Sequence, residues 1–128
     1  MILYTMSNSD EDTTERTTLD GKNTPSELAD EAALDSFVSN ADVALVEFYT
    51  EGCGICESME PVVSNVAREL DIAAGTVNPR NDPPLIDRFD VRSVPLFVLF
   101  VDGTVTARRA DGFISGDDLT EWITENTR

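Results

Sequence analysis

Apolar positions are almost absent from the start of this chain and then recur in regular patterns. Residues 7–23 hold one large apolar side chain, Leu19, too little to offset the entropy of ordering. A disordered acidic tail is therefore expected over 1–23, with a single domain over 24–128. Thr24-Pro25-Ser26-Glu27 has the form of a capping box with proline in the first turn. A helix is expected from there to about Ser39, with Leu34, Phe37 and Val38 on its inner stripe. VALVEFY, Val43 to Tyr49, is nearly continuous apolar, as a strand covered on both faces is. Met59, Val62, Val63, Val66 and Leu70 return at helical spacing, with Pro61 expected to kink that helix. A weaker strand spans Ile72 to Asn78, and Leu85 to Phe89 reads as a short helix. PLFVLFV, Pro95 to Val101, is a second buried strand, and Asp102-Gly103 signals a hairpin into Val105–Arg109. Ser115 caps a last helix striped by Leu119, Trp122 and Ile123. The order αβαβαββα implies an α/β fold, a mixed sheet of four to five strands with helices on both faces.

Composition narrows what such a fold does. The 128 residues are about the size of one domain. No histidine is present, which excludes Ser-His-Asp triads, Cys-His nucleophile pairs and His-ligated metals. Two cysteines cannot build a four-thiolate zinc or iron–sulfur site. There are 25 acidic residues against 9 basic ones, a net charge of −16, and this sign argues against nucleic acid as a partner. No apolar run approaches the roughly 18 residues of a membrane span. Met1 to Met6 form a short apolar group with no basic flank, unlike a signal peptide, and Met6 is a second candidate start. Lys22 is the one lysine among the basic residues. So acidic a chain repels itself in dilute buffer, whereas at 1 M salt the Debye length shrinks to about 3 Å and the repulsion is screened. A halophile's salt-rich cytoplasm suits this composition; an ordinary acidic protein is the other reading.

Candidate chemistry centres on Cys53-Gly54-Ile55-Cys56, directly after the buried strand and at the opening of a helix. There, unpaired backbone N–H groups and the helix dipole favour a thiolate on Cys53. Cys56 lies one turn deeper and can resolve a mixed disulfide. Two structural cysteines, or half of a shared zinc site, are the alternatives. Glu47 sits in the middle of VALVEFY, where burying a charged carboxyl is costly, so its pKa is expected to rise unless the strand reaches solvent at an edge.

Four motifs in order resemble the thioredoxin family. VALVEFYTEGCGICESMEP, Val43 to Pro61, is similar to the family's active-site segment, including the helix proline five residues after the second cysteine. Val91-Arg92-Ser93-Val94-Pro95 with LFVLFVDGTV is similar to the segment holding its cis-proline, and Gly112 in ADGFISGDDL matches the glycine before its last helix. The resemblance spans about Ser26 to Thr127 and implies a thioredoxin-like fold. It implies Cys53 as nucleophile and Cys56 as resolving thiol, forming a redox disulfide. Val94 and a cis Pro95 would face them, with Gly54, Ile55 and Gly112 completing a substrate groove. Glu47 would be the buried acid beneath Cys56 and its proton acceptor. The implied protein is a cytoplasmic, monomeric thiol-disulfide oxidoreductase with no bound cofactor or metal. Its partners would be protein disulfides and a reductase such as thioredoxin reductase, with neither nucleic acid nor membrane. A glutaredoxin-like protein or disulfide-forming oxidant, a binding module and a zinc-bridged dimer are the alternative functions. The chain departs from the family at Gly52 (usually tryptophan), Ile55 (usually proline) and Glu57 (commonly lysine). The acid is Glu47 instead of aspartate, with Thr76 in place of its lysine partner. The family's extra N-terminal strand is expected to be missing or weak.

Overall fold

The computed structural model describes residues 24–128; the tail expected over 1–23 lies outside them. Five strands and four helices follow one another among the described residues: β1 (Ser26–Leu28), α1 (Glu31–Ser39), β2 (Val43–Phe48), α2 (Gly54–Leu70), β3 (Ala73–Val77), α3 (Pro84–Arg88), β4 (Leu96–Val101), β5 (Thr104–Arg109) and α4 (Gly116–Asn126). A 3-10 turn at Pro79–Asn81 leads into α3. The strands form one mixed sheet in the order β1-β3-β2-β4-β5. β3 lies parallel to both β1 and β2, while β4 runs antiparallel to β2 and β5. The central apolar strands are VALVEF and LFVLFV, as expected of strands covered on both faces.

The chain's entry into the fold corrects the sequence reading. Thr24 does not cap a helix. Ser26–Leu28 is extended and pairs with Gly75–Val77, and α1 begins only after Asp30, whose Oδ1 accepts the Ala33 N–H at 2.9 Å. The strand wins because it buries Leu28, 5% exposed, in the core. Burying such a side chain is worth about 1.5–3 kcal/mol, more than most N-caps provide. The element order is therefore βαβαβαββα, and the N-terminal strand is present.

Alternation along the strands splits the core in two. Ala44, Val46 and Phe48 of β2 pack with α1 and α3 residues such as Leu34, Val38 and Leu85. Leu45 of β2, with Phe97 and Leu99 of β4, packs on the other face against Met59, Val63 and Val66 of α2 and Leu119 and Ile123 of α4. Glu47 has the parity of Leu45 and so points toward α2. The hairpin between β4 and β5 turns at Asp102 and Gly103, both with positive φ, as a tight two-residue turn requires. Pro61 lies inside α2, which continues through it to Leu70.

Candidate active site

Strand β2 runs out at Phe48, and Tyr49 to Gly52 carry the chain over the sheet edge into α2. Cys53 is the N-cap of α2: its backbone is extended, and its Sγ accepts the Cys56 N–H at 3.1 Å. The first sulfur thus sits where free helix N–H groups and the helix dipole stabilise negative charge. Cys53 and Cys56 are joined as a disulfide with their Cα atoms 5.3 Å apart. Cys53 is half-buried, whereas Cys56 is 2% exposed. The outer sulfur is therefore the one an incoming disulfide meets first.

Gly54 and Ile55, between the cysteines, are exposed, Ile55 at 48%. The Val94–Pro95 peptide is cis and leads into β4, with Pro95 buried and Val94 half-buried. Thr50, on the loop before Cys53, and Val94 line one pocket together with Pro79, Ile86 and Val91. The cis-proline loop and the cysteine loop thus share a wall. Gly112 adopts φ +83°, and an added Cβ would meet no atom within 4 Å, so the space before it is open. Its loop is tied to α2 by the Ile114 N–H, which meets Met59 Sδ at 3.3 Å, and it exposes Phe113 at 56%.

Glu47 is 1% exposed, on a central strand between β3 and β4, so the edge alternative is excluded. Both carboxylate oxygens lack a hydrogen-bond partner among the described residues. Burial, reinforced by the charge of Glu60 on α2, pushes its pKa up to about 8. Near neutral pH most copies hold the proton and a minority are the carboxylate, the form that can accept a proton from a thiol. Glu60 escaped the sequence reading, because it lies thirteen residues from Glu47 and acts only once α2 lies over the sheet. Thr76, in the place of the family's lysine, is 4% exposed and directly opposite Glu47 in the β2–β3 register.

Comparison with known proteins agrees with this geometry. A family model described as Thioredoxin matches residues 25–125. A thioredoxin of Chlamydia pneumoniae is 35% identical over 76 residues, covering 59% of this chain and 74% of the relative. A thioredoxin of Pseudomonas aeruginosa is 31% identical over 101 residues, 75% of this chain and 91% of the relative. Among solved structures, a mutant thioredoxin from Halobacterium salinarum NRC-1 superposes with a TM-score of 0.76 at 32% identity, covering 84% of this chain and 94% of that one.

Proposed function

This chain belongs to the thioredoxin family of thiol-disulfide oxidoreductases, and from that premise we propose that its Cys53/Cys56 dithiol reduces protein disulfides, Cys53 attacking and Cys56 resolving. The observation that carries the reading is the Cys53 sulfur capping α2 through the Cys56 N–H, with Cys56 buried behind it. As a thiolate, Cys53 attacks one sulfur of a substrate disulfide. A mixed disulfide forms and one substrate thiolate leaves, taking a proton from water. Cys56 then passes its proton to Glu47 and attacks the Cys53 sulfur, releasing the second substrate thiolate and closing the Cys53–Cys56 disulfide. Two electrons pass from the dithiol to the substrate, and a reductase returns them. The dithiol is itself the electron carrier, so the exchange uses no cofactor.

The exposed Ile55, Gly54, the Val94–Pro95 loop and Gly112 frame the groove for an extended substrate segment. Gly52 leaves this groove without the aromatic wall usual in the family, which bears on which reductase docks. The acidic, lysine-poor composition and a dithiol that must be kept reduced support work as a monomer in the cytoplasm of a salt-adapted cell. No described helix is long and apolar enough to cross a membrane. A binding module or zinc-bridged dimer is not favoured, given the family and the paired cysteines.

Alkylation separates the two sulfurs. On the reduced protein below neutral pH, iodoacetamide should label Cys53 first, and Cys56→Ser should trap substrate on Cys53. Labelling that begins at Cys56, or a trap formed only by Cys53→Ser, reverses the assignment.

A further inference from the structure

We infer that Thr76 and Glu27 form the proton exit of Glu47, a relay across the sheet from β2 through the Thr76 hydroxyl on β3 to the Glu27 carboxylate on the edge strand β1. The inference rests on Glu47 accepting the Cys56 proton and adds where that proton goes next. Once protonated, Glu47 must be emptied before another turnover, and at 1% exposure it has no direct path to water.

The register supplies one. Glu27 is opposite Thr76, and Thr76 is opposite Glu47, so the three side chains form a row on one face of the sheet. Neighbouring strands lie about 4.8 Å apart, which puts each side chain beside the next. Toward β4 the register partner of Glu47 is Phe97, which offers no polar atom. Thr76 Oγ1 donates to Glu27 Oε1 at 3.0 Å. That bond uses the hydroxyl's one proton and leaves its lone pairs for a donor. A protonated Glu47 is such a donor: its two oxygens have no hydrogen-bond partner among the described residues, Thr76 included, so the bond to Thr76 Oγ1 forms by a turn of the Glu47 side chain once it carries the proton. Glu27 itself is exposed, and its second oxygen accepts the Tyr49 hydroxyl at 2.5 Å. Burial and the bond to Glu27 push the Tyr49 pKa up to about 12, so Tyr49 stays a donor and holds Glu27 in line with the row.

The charges around the path are negative. Glu60 faces Glu47 from α2, where Cys56 also lies, and Glu51 and Glu60 act on Tyr49. As the Glu47 carboxyl gives its proton to Thr76 Oγ1, Thr76 gives its own to Glu27 Oε1, and Glu27 gives one to water. Each O–H bond broken is matched by one formed, and no electrons move. Thr76 and Glu27 are thus positioning residues, acting on the cysteines only through Glu47.

Insulin disulfide reduction by the full chain, from pH 6 to 9, tests the relay. Thr76→Val should slow turnover about tenfold around neutral pH, within what general acid–base catalysis contributes. In the Cys56→Ser background, the rate at which Thr76→Val forms the Cys53 mixed disulfide should stay unchanged. Thr76→Ser should restore turnover, and Glu27→Gln should slow it in the same direction, which keeps the test open if Thr76→Val fails to fold. Folded Thr76→Val with the parent's turnover and pH profile overturns the relay, as does equal loss in Thr76→Val and Thr76→Ser. Glu47→Gln run in parallel separates the two claims. If it is slow while Thr76→Val is normal, the relay alone fails. If it turns over normally, the role of Glu47 fails and the relay with it.

Discussion

At the scale of single residues, Glu47 sets how stability and activity depend on pH. Its pKa is raised in the fold, to about 8, above the usual carboxylate range. The unfolded chain therefore loses this proton at lower pH than the folded one. Between those two values the folded state binds more protons, so rising pH drains stability through that window. Below it the protonated group costs little; above about 8 the whole cost of a buried carboxylate is present. Glu47→Gln should therefore be more stable than the parent at pH 9 by a few kcal/mol, and nearly equal to it at pH 4. Urea denaturation at the two pH values measures this difference. The burial of Glu47 could be read from its neighbours Val46 and Phe48, and its partnership with Cys56 from the family's motif. Glu60, Thr76 and Glu27 could not be assigned to it in the same way. Their effects need α2 laid over the sheet and β1 in register with β3, contacts that local patterning does not encode.

At the scale of elements, β1 shows where local pattern and long-range pairing conflict. Thr24-Pro25-Ser26-Glu27 is a sound helix start by local chemistry, yet Glu27 is bonded to Thr76, 49 residues away, and Leu28 is buried in the core. A three-residue strand has too little periodicity of its own to compete in a sequence reading. Asp30 takes over as the cap from Thr24, so the end of the helix at Ser39 stands while its start moves six residues. Close approach lets β1 dock. A Cβ on Gly75 would lie 3.0 Å from Leu28 Cδ1, 3.1 Å from Phe37 Cε2 and 3.3 Å from the Ser26 carbonyl oxygen. The carbonyl is backbone and cannot turn aside. Gly75→Ala should therefore push β1 from the sheet and cost about 1–3 kcal/mol, the usual range for overpacking, measured as a lower urea midpoint. Strands β2 and β4 were readable because six-residue apolar runs suit a doubly covered sheet and little else of that length.

For the molecule as a whole, charge is the dominant departure from an ordinary domain of this fold. The described ion pairs include Arg88 bridging Glu31 and Asp35 of α1 at 2.7 and 2.9 Å, but these side chains are more than a third exposed. Such surface pairs contribute little, and each joins one charge of either sign, so the net charge of −16 stays uncompensated. Thermal unfolding should shift to higher temperature from dilute buffer to 2 M KCl. A midpoint that stays flat would mean the acidic surface is no salt adaptation. The overall architecture was readable because four motifs fall in the family's order. What the changed residues around the cysteines do to the dithiol was not, because Gly52, Ile55 and Glu57 act on the balance between thiol and disulfide. An equilibrium titration of the Cys53/Cys56 pair against a dithiothreitol redox series measures that balance. A reductant of protein disulfides should give one two-electron transition at a reducing potential, near the roughly −270 mV of thioredoxin. An oxidising midpoint, near the roughly −120 mV of a disulfide donor, or no reversible transition at all, would contradict the assignment of this chain as a disulfide reductant.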